Sequence, residues 1–168
     1  LNLPYPGGIH VEKRALEGNE LSFELPKPLI NQKKFNFSFS GIKTYINLLI
    51  KKNDINENFI NDISASFQKN IADLLIIKLE DGLDRLKKDN INISSISVVG
   101  GVSNNQYIRN KMENFYEEKN IKVYYPIKEM MGDNAAMIAW ACIKNYNIKK
   151  NNIYFKPKPR LLINNKFN

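Results

Sequence analysis

The residues of this sequence best placed to do chemistry are two pairs of glycines and two acids. Gly100 and Gly101 follow an apolar, β-branched run from Ile96 to Val99 and precede a helical pattern with Ile108, Met112 and Phe115 on one face. That spacing predicts a strand, a tight turn and a helix. Glycine lacks the Cβ that keeps a ligand off the backbone, and Ser103 or Asn104 is placed to cap the helix. N–H groups exposed at such a start suit a phosphate or a nucleotide sugar. A strand-to-helix turn also needs small residues for steric reasons, so Gly100 and Gly101 alone do not decide between ligand and turn. Gly7 and Gly8, in PYPGG, either let a ligand approach or form an ordinary Pro-Gly turn. Glu12, one turn beyond them in a helix expected from Ile9 to Glu17, either complements the helix dipole or reaches what the glycines hold. Asp133 precedes an Ala-rich helix expected over Ala135 to Asn145, where it reads first as an N-cap.

These residues need elements to position them. The strand entering Gly100 and a second strand, Ile121 to Tyr125, flank the intervening helix, an order that predicts a right-handed parallel unit with ligands at the carboxyl ends of its strands. The longest helix is expected from Glu57 to Lys88, with Ile60, Ile63, Phe67, Ile71, Leu74, Leu75 and Leu79 inward and Asp62, Asp73 and Glu80 facing water. Before it, Ile42 to Lys51 carries a buried stripe of Ile42, Tyr45, Ile46, Leu49 and Ile50. FNFSFS, Phe35 to Ser40, alternates as a strand with three phenylalanines on one face; beside Lys43 it also has the composition of a base-stacking platform, although a core face is the commoner use. Val11, Ala15 and Leu16 are expected inward on the first helix. Leu21 to Ile30, with Pro26 and Pro28, reads as an extended edge or loop, and the basic tail Tyr154 to Ile163 as a surface segment.

A chain of 168 residues buries one sizeable core, or one core and a small appendage. The single cysteine, Cys142, excludes an internal disulfide, suits a reducing compartment and, among apolar neighbours, is expected to be a buried structural thiol. No apolar run is long enough to span a bilayer and the start carries no signal-peptide pattern, so a soluble protein is expected. The formal charge of +8 favours approach to nucleic acid, but an AT-rich genome would produce the same excess of Lys, Asn and Ile. Leu1 enters LNLPYPGG directly, without methionine, which reads as a fragment.

Four segments in one order, LPYPGG (Leu3 to Gly8), FSFSGIKT (Phe37 to Thr44), DISASFQ (Asp62 to Gln68) with VVGGVSNN (Val98 to Asn105), and GDNAAMIAWA (Gly132 to Ala141), resemble the TsaD family of tRNA threonylcarbamoyltransferases, as does the ending FKPKPR. The resemblance implies an α/β, ribonuclease-H-like lobe of the actin-like ATPase type, a mixed sheet with flanking helices. This chain then looks like the second lobe of a two-lobed protein, residues 1–150 with a closing helix near 135–145, followed by a basic tail over 151–168. The implied reaction transfers threonylcarbamoyl from threonylcarbamoyl-adenylate to the N6 amine of the adenosine beside the tRNA anticodon. Gly8 would line the adenylate pocket, Asn105 would hydrogen-bond the nucleotide, Glu12 would match a ribose-contacting acid, and Asp133 would ligate a metal. None of them is assigned as a catalytic acid or base. The metal, Fe2+ or alternatively Zn2+, draws its remaining ligands, two histidines, from the first lobe; His10 stands in the wrong place to replace them, so this chain alone is expected to be inactive. Met131 and Gly132 replace the family's usual Cys-Thr. Implied partners are tRNA, a TsaB-like paralogue and a TsaE-like ATPase, with no membrane, in a bacterial cytoplasm or, alternatively, a mitochondrion or plastid. Two other readings stay open: an actin-like ATPase or sugar-kinase lobe binding ADP or ATP, and a non-catalytic module that binds a partner or tRNA through its basic surface.

Overall fold

The structure is a computed structural model that describes residues 1–30, 36–144 and 146. Its residues fall into two compact units, Leu1–Gly132 and Asp133–Asn168. The first is a mixed α/β unit built on one long helix, α3 (Glu57–Lys88), preceded by α1 (Gly7–Ala15) and α2 (Ser40–Lys52). The Asn56 side chain accepts from the Phe59 N–H at 2.8 Å and starts α3 where the sequence predicts, and the helix runs unbroken through Gly82.

The apolar residues of α3 face two ways. Phe59, Ile63 and Leu74 join Leu25 and Ile42 in one core, against which Ile46, Leu49 and Ile50 of α2 pack. Tyr45, expected in that stripe, is exposed. Ala72 meets Ile108 and Met112 of α4 (Gln106–Glu117) in a second core. Farther along α4, Tyr116 is fully buried and the expected Phe115 only half so. On α1, Leu16 is exposed rather than inward, because the helix starts at Gly7 and ends at Ala15, before reaching it.

Asp62 and Asp73 do not simply face water. Asp62 accepts from the Asn19 N–H at 2.8 Å and the Ser22 hydroxyl at 2.9 Å. The Phe23 N–H donates to Ser66 Oγ at 3.2 Å, Asn70 Nδ2 donates to the Leu25 carbonyl at 2.9 Å, and Lys78 Nζ donates to the Leu29 carbonyl at 3.0 Å. Between them Asp73 holds Lys27 at 3.0 Å and Lys69 at 2.7 Å. Residues 23, 25 and 27 alternate along an extended segment and Leu29 lies in the turn that follows it, while 66, 70 and 73 follow one face of the helix. Helix side chains thus take the place of a neighbouring strand and satisfy a segment that would otherwise bury unpaired backbone groups. Burial raises the Asp73 carboxyl, but hydrogen bonds from Lys69 and Lys27, and their charges, outweigh it and hold the group below the usual carboxylate range. Glu80 alone of the three expected acids is exposed, 3.8 Å from Lys119. Gly18 closes the preceding turn so tightly that a Cβ there would overlap the Asn61 carbonyl of α3.

Residues 36–39 form no strand; α2 begins at Ser40, and no neighbouring strand among the described residues offers a ladder to FNFSFS. Phe37 and Phe39 stack on one another instead, and Phe35 lies outside the described residues. The expected strand–helix–strand unit does form. β1 (Ser95–Ser97) pairs parallel with β2 (Lys122–Tyr124), Ile96 opposite Val123, and the Val98 N–H extends the ladder to the Tyr124 carbonyl at 2.9 Å.

The second unit contains α5 (Ala135–Lys144), which buries none of its residues. Cys142 is therefore exposed and not the buried thiol expected, since the apolar neighbours that suggested burial, Ile138, Trp140 and Ile143, are exposed with it. The tail Tyr154 to Ile163 and the expected division at 150/151 lie outside the described residues. Among the described residues no helix is long and apolar enough to cross a membrane.

Candidate functional site

Gly7 and Gly8 form the first turn of α1. Their N–H groups have no partner within the helix, and a Cβ at either glycine would meet nothing within 4 Å. One turn on, the Glu12 carboxylate accepts from the N–H of Gln106 at 2.6 Å. This bond carries α1 to the start of α4, where the helix dipole favours a negative charge. A carboxylate accepts at both oxygens, so Oε2 remains able to receive a hydroxyl donor.

The glycine turn lies just before α4. Gly100 adopts φ +92°, which a side chain would strain, and a Cβ at Gly100 or Gly101 also meets open space. A short 3-10 turn, Gly101–Asn104, follows, held by the Ser103 hydroxyl donating to the Gly100 carbonyl at 2.7 Å. That turn delays α4, so neither Ser103 nor Asn104 caps it. Asn105 does, its Oδ1 accepting from the Ile108 N–H at 2.9 Å. The other end of the same amide donates from Nδ2 to Gln68 Oε1 on α3 at 2.7 Å.

The structure therefore brings Glu12 to Asn105 and the start of α4, which lie far from it in sequence. Val99 and Val102 stand exposed beside the glycines, giving the edge an apolar rim. Sequence reasoning gave Gln68 no role, although it fixes the orientation of Asn105; its signal was a polar residue within a helical stretch otherwise read for its apolar stripe. Tyr107 donates to Glu20 at 2.7 Å, and burial together with that bond pushes its phenol upward, so it stays a neutral donor. Arg109 packs its guanidinium 4.4 Å from the centre of the Tyr125 ring and donates to the Ser103 carbonyl, bracing the turn from behind.

In the second unit Asn134, not Asp133, caps α5, accepting from the Met137 N–H at 2.9 Å. The exposed Asp133 carboxylate is thereby spared the capping role that the sequence first suggested. Among the described residues no three His, Cys, Asp or Glu side chains converge as a metal ion requires. The described donors do not by themselves fit iron or zinc.

The family model of TsaD, tRNA N6-adenosine threonylcarbamoyltransferase, matches residues 1–140. The chain belongs to the TsaD family. It is similar to the tRNA N6-adenosine threonylcarbamoyltransferase of Ehrlichia ruminantium (strain Gardel), 40% identical over 162 residues that cover 95% of this chain and 47% of the relative. The enzyme of the same name from Rickettsia rickettsii (strain Sheila Smith) is 38% identical over 164 residues, covering 95% of this chain and 48% of the relative. The chain thus spans about half the length of the curated relatives it matches. Both glycine pairs, Glu12, Asn105 and Asp133 fall inside the residues that match TsaD.

Proposed function

We propose that this chain is the carboxyl-terminal part of a tRNA N6-adenosine threonylcarbamoyltransferase, a ribonuclease-H-like lobe that moves threonylcarbamoyl from threonylcarbamoyl-adenylate to adenosine N6 only when joined by a first lobe. The observation that carries the proposal is the Glu12–Gln106 bond, which ties α1, begun by Gly7 and Gly8, to the start of α4 that follows the Gly100–Gly101 turn. An adenylate offers a ribose diol and a phosphate. Glu12 Oε2 would accept from the diol, Gly8 would let the adenylate lie against the backbone, and Asn105, oriented by Gln68, would face the nucleotide. In the transfer the N6 amine attacks the carbamoyl carbon, the bond to phosphate breaks, AMP leaves and the amine loses a proton. The part of this chain is to bind and orient the leaving nucleotide. Asp133 would give one carboxylate to an iron or zinc site whose other ligands come from the first lobe. A TsaB-like paralogue, a TsaE-like ATPase and a cytoplasmic setting complete the reading.

The test is threonylcarbamoylation of tRNA with synthetic threonylcarbamoyl-adenylate, using the chain alone and then fused to the amino-terminal half of a relative. Activity in the fusion only, lost in Asp133→Ala, is the expected result. Activity in neither, with the fusion folded, overturns the proposal.

A further inference from the structure

Phe37 and Phe39 are 45% and 46% exposed, their rings 7° from parallel with centroids 6.0 Å apart. Between Leu25 and Asn53 the sequence contains no acid and six lysines, at positions 27, 33, 34, 43, 51 and 52. Lys27 is held by Asp73, whereas Lys43, Lys51 and Lys52 are exposed. The Lys43 N–H donates to the Phe39 carbonyl at 3.2 Å, which puts Lys43 one turn into α2 from the ring pair. The same helix starts without a side-chain cap and without an acid in its first turn, so its positive end adds to the field. Flat aromatic faces at the surface suit an apolar protein partner or a nucleobase alike. An exposed lysine one turn away and an uncapped helix start without an acid select the nucleobase, whose phosphates need a positive field.

We propose that Phe37 and Phe39 form a stacking platform for an unpaired base of single-stranded RNA, the anticodon loop of the tRNA substrate, with Lys43 neutralising an adjacent phosphate. The proposal rests on the reading of tRNA as substrate. It adds a docking surface distinct from the glycine edge.

The test is binding of the full 168-residue chain to a labelled anticodon stem-loop carrying 2-aminopurine in the loop, with a blunt RNA duplex of equal length as control. Binding of the stem-loop with quenching of the 2-aminopurine is expected. The double variant F37L/F39L, which keeps apolar volume but removes the rings, should bind the loop roughly 5- to 150-fold more weakly, lose the quench and bind the duplex as before. Lys43→Ala should lower affinity for both RNAs and reduce the salt slope by about one phosphate. If F37L/F39L misfolds by circular dichroism, Phe39→Trp serves instead and should retain both binding and quench. An unchanged loop affinity in F37L/F39L, an equal loss for loop and duplex, or no binding of the stem-loop by the wild-type chain each overturns the proposal. So does wild-type self-association that the double variant abolishes, which would assign the platform to a second copy. Loss of the transferase reading leaves a different trace: the fusion fails to modify tRNA while the loop still binds through the phenylalanines.

Discussion

The polar row along α3 and the glycine edge at the start of α4 are made from the same materials, backbone amides met by side-chain oxygens, yet one closes on the chain and the other stays open. Along α3, Asp62, Ser66, Asn70 and Lys78 all bond to the segment 19–29, and Gly18 is hemmed in by backbone. At the edge, Gly100 and Gly101 have open space where a side chain would lie, as do Gly7 and Gly8 at the start of α1, and Glu12 uses one oxygen while leaving the other. Close packing marks the place where the fold is held. Open polar groups on rigid supports mark the edge proposed for the ligand.

The sharpest way to break this contrast is to add one methyl group to each kind of glycine. Gly18→Ala should destabilise the chain by about 3 kcal/mol or more, because the Cβ meets a helix carbonyl that cannot swing aside; urea denaturation measures it. A midpoint unchanged from wild type would show that the approach of the turn to α3 is looser than described. Next in size, Asp73→Asn should cost about 2 kcal/mol at neutral pH by weakening its bonds to Lys27 and Lys69. The folded carboxyl titrates below its unfolded value of about 3.9, so its contribution is complete above that value and is lost as pH falls through the folded one. The stability gap between wild type and Asp73→Asn should therefore close in acid, and a gap that instead widened would contradict the ion-pair account.

Glu12→Ala removes an acid from the α4 N-terminus and should cost about 1 kcal/mol, half of it recovered by Glu12→Gln, whose amide oxygen still accepts. Thermal melts at low and high salt would distinguish the charge from the hydrogen bond. The smallest change is Gly8→Ala, expected to leave stability unchanged or raise it by about 0.5 kcal/mol, since alanine suits a helix and nothing obstructs it. In the active fusion the same methyl should weaken adenylate binding, which sets its effect on function apart from its effect on folding.

The long helix was legible in sequence because its apolar residues recur without interruption and Asn56 marks its start. The strand–turn–helix around Gly100 was legible for a similar reason, the β-branched run ending in glycines. What misled was either the presence or absence of a distant partner or the exact position of a helix end. The FNFSFS alternation promises a strand but has no described strand to pair with, so the helix at Ser40 claims its end. Asp62 and Asp73 look like solvent-facing acids until the chain at 19–29 lies against them. Asn105 took the cap expected of Ser103 or Asn104 because a 3-10 turn delays the start of α4, and Asn134, directly before the helix that begins at Ala135 as expected, took the one expected of Asp133. The meeting of Glu12 with Gln106, across 94 positions, leaves no local mark at all.

The pairing of α3 with the segment 19–29 also redistributes the mutational burden between them. At Asn19, Phe23, Leu25 and Leu29 the helix grips main-chain atoms, which every residue type possesses, so those bonds survive a change of side chain there. Only proline, at a position whose N–H donates, would remove one outright. On the helix the same bonds depend on the identity of Asp62, Ser66, Asn70 and Lys78. Apart from Phe23 and Leu25, which pack in the core, and Ser22 and Lys27, whose side chains bond to Asp62 and Asp73, the irregular segment is thus the tolerant partner, and the helix holds the information that specifies where it lies.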